Sequence, residues 1–144
     1  MLSQMTGLEH MRAMVAGDAP EPPISKLLEF GAVRADPGEV VFTCVPSESV
    51  LNPLGLIHGG LVSTLLDSVI GCAIHTTLAA GVGFVSIDLN VSFLRPPVVG
   101  EMLTATGRVT KPGRRVAFGA GEVHDSRGKL IASGTGSCLV MTPT

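Results

Sequence analysis

The spacing of apolar and polar positions divides the chain into distinct elements. Val85, Ile87, Leu89, Val91 and Phe93 alternate with Ser86, Asp88, Asn90 and Ser92, the period-two pattern of a strand with one covered face. Ahead of it, residues 59–80 form an almost unbroken apolar run closed by Gly81 and Gly83, which predicts one long helix. On a helical wheel Leu61, Leu65, Val69, Cys72 and Thr76 share one side. Asp67 points roughly the other way, with Gly60, Ser63, Gly71, Ile74 and Leu78.

Shorter strands are predicted over 27–35 and 39–45, around the turn Asp36-Pro37-Gly38. Two more, 101–110 and 115–124, join through Lys111-Pro112-Gly113-Arg114, and a last one, 130–141, follows Asp125-Ser126-Arg127-Gly128. Links this short make successive strands antiparallel neighbours. Gly119, Gly121, Gly134 and Gly136 inside them point to curvature or close backbone approach. Leu8–Gly17 reads as a short helix broken off by Pro20, Pro22 and Pro23. The expected layout is α+β, with a curved antiparallel sheet wrapped around one long central helix. Residues 1–26 form an N-terminal extension and 27–144 the domain proper.

A chain of 144 residues accommodates one domain with a real core. Composition sharpens this: 45% of residues are hydrophobic and only 15% charged, below the quarter or so usual for soluble domains. Mean hydropathy is +0.45, and shared apolar surface explains it, so at least a homodimer is expected. A net charge of -2 with only 10 Lys and Arg argues against nucleic acid as a partner. Leu61–Ala80 is long enough to span a bilayer, but Asp67, His75 and several Ser and Thr residues make membrane insertion costly. No basic stretch precedes an apolar one as in a secretory leader. Cys44, Cys72 and Cys138 lie far apart among apolar neighbours and read as core. A reducing, cytoplasmic setting is the expectation.

Chemistry concentrates in Asn52–Asp67, NPLGLIHGGLVSTLLD. A His-Gly-Gly turn opens the apolar helix, and one carboxylate, Asp67, is buried two turns further in. Gly59 and Gly60 present bare N–H groups at a helix N-terminus, where negative charge is favoured. Donors that polarise a carbonyl, together with a carboxylate, suit acyl chemistry with Asp67 as base or nucleophile. His58 either caps the backbone or orients the reacting carbonyl. Asn52 either braces the Pro53 turn or holds a water beside Asp67. Ser86 is either sheet decoration or a hydrogen-bond partner of the reacting group, and His75 reads as packing. Leu66, Ile70, Ile74, Leu78 and Phe84 are the apolar side chains available for a pocket. Arg95, Lys111, Arg114 and Arg115 form a thin basic set at strand ends, either solvated or in contact with a phosphorylated carrier. His58, His75 and His124 lack the tight spacing of metal ligands, so no metal or other cofactor is expected.

In Asn52–Asp67, in VSIDLNVSFLRPPVVG at 85–100 and in the GRRVAFGAGEV hairpin, the chain resembles hotdog-fold acyl-CoA thioesterases of the PaaI type, related to 4-hydroxybenzoyl-CoA thioesterases, over roughly residues 30–141. The resemblance implies an acyl-CoA substrate, two protomers joining their sheets into a homodimer with active sites at the interface, and homodimers pairing into a homotetramer. Asp67 matches the catalytic carboxylate and Gly59 the residue whose N–H polarises the thioester carbonyl, with Gly60 shaping the turn. His58 and Asn52 match positions lining the reacting group, and Ser86 a hydroxyl position on the neighbouring strand. Arg95 with Pro96, and Arg114 or Arg115, fall where CoA is held. Two rivals remain. A hotdog hydratase or dehydratase would need an acid–base pair such as Asp–His, and a non-catalytic acyl-CoA-binding module need not keep the carboxylate.

Overall fold

A computed structural model of the chain describes residues 4–143. Helix α1 (Gly7–Ala16) opens on a capping box between Thr6 and Glu9 and stops at Gly17, whose φ of 81° only glycine adopts readily. A second short helix, α2 (Pro23–Leu28), starts on a proline at its first position and occupies the beginning of the strand expected at 27–35. It also crosses the expected boundary between extension and domain. Strand β1 (Phe30–Asp36) therefore begins later, and β2 (Glu39–Cys44) returns beside it through the predicted turn. After a 3₁₀ turn at Glu48–Val50 come helix α3 (Gly59–His75) and strands β3 (Gly83–Phe93), β4 (Leu103–Lys111), β5 (Val116–His124) and β6 (Leu130–Met141).

The strands form one six-stranded antiparallel sheet in the order β1-β2-β4-β5-β6-β3. Helix α3 lies on it, packing against β4 and β5 most heavily. Leu61, Val62, Leu65, Leu66, Val69 and Ala73 from the helix meet Val40, Phe42, Leu103, Ala105, Val123 and Ile131 from the sheet. Sheet glycines let the helix settle. A β-carbon at Gly107 would run into the Val69 carbonyl, and one at Gly119 would come within 2.9 Å of Ile70.

Helix α3 ends at His75 rather than at Ala80. The Thr76 and Thr77 hydroxyls donate to the carbonyls of Ala73 and Ile74, satisfying late carbonyls and letting the chain leave the helix before the glycines. Thr76 also accepts the Gly38 N–H, tying the β1–β2 turn to this end. Among the described residues no helix is long and apolar enough to cross a membrane. Cys44, Cys72 and Cys138 are free thiols.

Candidate active site

The His58-Gly59-Gly60 joint is built as a helix cap. His58 is extended (φ −62°, ψ 134°), and its Nδ1 accepts the Gly60 N–H at 2.7 Å. A side chain on Gly60 would strike this ring, since its β-carbon would lie 2.8 Å from Nδ1. Because Nδ1 is the acceptor, the neutral ring carries its proton on Nε2, and its free edge is a donor. The Gly59 N–H is the first of α3 and has no carbonyl upstream within the helix to bond.

Asn52 is committed to its loop: Oδ1 accepts the N–H groups of Leu54 (2.9 Å) and Leu56 (3.0 Å). The loop so braced sits over a cavity of ≈ 340 Å³ lined by Asn52, Gly59, Phe93, Arg95, Pro96 and Ile131, among others. A larger hollow of ≈ 820 Å³ lies elsewhere, between Glu29, Cys44 and Val99, and holds none of the expected site residues. Of the two, the smaller cavity holds Asn52, Gly59, Arg95 and Pro96 from the expected set. Phe93 shapes it, because its ring would lie 3.2 Å from a β-carbon at Gly59.

The second cluster lies further along α3. Asp67 is exposed in the single chain rather than buried, although strand β3 reaches this side of the helix. Ser86 Oγ donates to Asp67 Oδ1 at 2.7 Å. Strict alternation along β3 would have placed Ser86 on the face away from α3. A bulge between Ser86 and Asp88 breaks the register against β6 and reverses the faces. Ser86 turns to α3, while Val85 and Ile87 are exposed at 45% and 55%. Asp88, a carboxylate the sequence did not single out as distinct from its strand, accepts from Ser137 Oγ at 2.8 Å instead. Beside Asp67, burial first and the carboxylate next push the Cys72 thiol up to about 12, so it supplies no thiolate to the site.

The remaining expectations divide. Leu66, Ile70, Ile74 and Leu78 are buried in the core, pulled there by the sheet. The basic set is split. Arg95 follows the end of β3, whereas the Arg115 carbonyl accepts from Val140, beside the start of β3. About 30 Å of strand separates the two ends, with Arg114 and Arg115 in the β4–β5 turn. His75 does more than pack: its Nε2 lies 3.2 Å from His10 Nδ1 on α1, and its ring meets Phe84 at 5.5 Å. Sequence reasoning had no signal for this pair, because the two histidines meet only when α1 docks.

Residues 54–132, more than half of the chain, match the thioesterase superfamily. Acyl-coenzyme A thioesterase 13 of Mus musculus is 32% identical over 135 residues, covering 92% of this chain and 94% of the mouse protein. Acyl-coenzyme A thioesterase PaaI of Escherichia coli K12 is 27% identical, covering 86% of this chain and 84% of its own. Among solved structures, the phenylacetic acid degradation-related protein of Ralstonia eutropha JMP134 superposes with a TM-score of 0.82 at 32% identity, covering 90% of this chain and 98% of that one. The chain belongs to the thioesterase superfamily. It has the hotdog fold, its sheet wrapped around α3, and is a PaaI-like enzyme of that family.

Proposed function

We propose that the protein hydrolyses acyl-CoA thioesters to the free acid and CoA, in active sites shared between two copies of the chain. The observation that carries the second half is a spacing. Gly59 and Asp67 lie eight residues apart on α3, about 12 Å along the axis, too far to address one carbonyl together. A two-fold pairing with antiparallel helices sets Asp67 of one copy beside Gly59 of the other. Two features favour this pairing. Strand β3 ends the sheet, its second edge unpaired among the described residues and open to another strand. The exposed Val85, Ile87 and Phe93 lie along it. The same two-fold brings Arg95 of one copy to the rim carrying Arg114 and Arg115 of the other, where they hold the phosphates of CoA, with Pro96 shaping the turn that carries Arg95. Association of homodimers into a homotetramer extends this reading.

In the proposed reaction the thioester oxygen faces the Gly59 N–H at the positive end of α3. Asp67, its Oδ1 held by Ser86, uses Oδ2 to take a proton from water, and the hydroxide adds to the carbonyl carbon. The C–S bond then breaks, the carbonyl re-forms and CoA departs as thiolate or, after proton transfer, thiol. Direct attack by Asp67, through an anhydride that water opens, gives the same products. His58 Nε2–H and the Asn52 amide donate toward the reacting group. Neither route requires a cofactor beyond the substrate's own CoA. The names of the mouse and E. coli relatives support the substrate class.

Thiol release from a panel of acyl-CoAs tests the reading. Asp67→Asn is expected to lower turnover at least about a hundredfold while the oligomer persists. Full activity in that variant overturns the assignment, and acyl-CoA binding without release by the wild type favours a binding module. The hydratase reading is disfavoured by His58, whose Nδ1 is spent on Gly60 and so offers no base there.

A further inference from the structure

Of the five apolar side chains available for an acyl pocket, only Phe84 stays partly exposed, while Leu66, Ile70, Ile74 and Leu78 fall to between 0% and 7%. Its place follows from two periodicities. Phe84 and Ser86 lie two residues apart on β3, before the bulge, and share the face toward α3. Gly71 lies four residues after Asp67 and shares its side of the helix. The Phe84 ring covers Gly71, close enough that a β-carbon there would be 2.7 Å from Cε2. The ring is thus the neighbour of the Ser86–Asp67 pair in both elements.

The ring is also backed. The His75 imidazole stands against it at 5.5 Å, tilted by 44°, and His75 is steadied by His10. Gly7 lets α1 close over this end, since a β-carbon there would run into the His75 carbonyl. Phe84 has helix backbone beneath it and an imidazole beside it, so it cannot retreat when something presses on it.

We propose that Phe84 is the wall against which the acyl group ends, and that it sets the acyl length accepted at Asp67. This rests on the thioesterase reading above. Shortening the side chain opens the space above Gly71. A methyl group at Gly71 does the opposite, pushing the ring off the helix and toward the reacting carbon.

The test compares kcat/KM for dodecanoyl-CoA and butanoyl-CoA in the wild type, Phe84→Ala and Gly71→Ala. The long-to-short ratio is expected to rise about tenfold or more in Phe84→Ala, the scale on which a few methylenes discriminate, and to fall in Gly71→Ala. The variants are compared at matched folded fraction, read from the thermal melt, so that a damaged fold does not enter the ratio. A ratio within about twofold of wild type in Phe84→Ala, or one moving the same way in both variants, overturns the inference while leaving thioesterase activity in place. A wild type that releases thiol from no acyl-CoA sinks the functional reading, and this inference with it.

Discussion

Ser86 Oγ hydrogen-bonds Asp67 Oδ1 at 2.7 Å, joining the edge strand to the exposed side of the central helix. A hydroxyl-to-carboxylate bond of this length positions the carboxylate and disperses charge on one oxygen, leaving the other to act. Removing it in Ser86→Ala should lower kcat by about tenfold to a hundredfold, the range for a hydrogen bond to a charged group, with a smaller effect on KM. Thiol-release kinetics measure both, and an unchanged kcat would make the bond purely structural.

Gly59 serves two purposes that substitution can separate. In Gly59→Ala the new methyl meets Phe93 at 3.2 Å, so activity should fall, and Phe93→Leu in the same chain should restore part of it. Gly59→Pro fits the first position of a helix and the extended His58 before it, but it deletes the N–H. Its loss of kcat should persist in the Phe93→Leu background. Equal rescue of the two variants would argue against an oxyanion donor at Gly59.

Mixed oligomers address the sharing of sites. Asp67→Asn and Gly59→Pro should each be nearly inactive alone. After reversible dissociation and 1:1 reassociation, two-fold symmetry leaves about a quarter of the sites with both groups intact, and activity should reappear to that extent. No recovery, with mixed dimers verified by mass, would place both groups in one protomer.

His75 makes stability depend on acidity. Burial first, and His10 second, hold its pKa below the ordinary 6.5. The unfolded chain therefore takes up this proton before the folded chain does. The stabilisation is complete above about pH 6.5 and drains away as pH falls through the folded pKa. Between about pH 7.5 and about pH 5 the melting temperature should drop more steeply in the wild type than in His75→Gln. Parallel curves would show that the imidazole contributes nothing to this slope.

Packing of the helix on the sheet is tested at Gly107, where a β-carbon would meet the Val69 carbonyl. Backbone cannot rotate aside as a side chain does, so Gly107→Ala should cost about 1–3 kcal/mol of folding stability. Denaturant titration would show this as an earlier midpoint at unchanged slope.

Much of this was legible beforehand because it depends on local periodicity and turn chemistry. The antiparallel strands, the glycine-rich close approaches and the cap at His58 follow from neighbours in sequence. What was not legible depends on tertiary contact. The bulge that swings Ser86 onto Asp67 leaves the composition of β3 unchanged, so simple alternation put that serine on the wrong face. Threonine hydroxyls end α3 before its glycines do. Asp67 is surrounded by apolar letters, yet lies exposed in one chain, because Ser86 is the β3 side chain that meets it and a hydroxyl does not cover a carboxylate. The basic residues look like one group along the sequence, and only the length of β3 separates them.

The glycines beneath α3 divide the helix into two regimes of change. At Gly107 a β-carbon would meet the Val69 carbonyl and lift the helix, and at Gly119 and Gly121 it would press on the Ile70 and Leu66 side chains, so this side tolerates little change once the fold exists. Its other side, carrying Gly60, Asp67 and Gly71, answers only to β3, the Asn52 loop and whatever docks there. New substrate preferences can accumulate on that stripe without renegotiating the core, so one scaffold can diversify its chemistry from a single helical face.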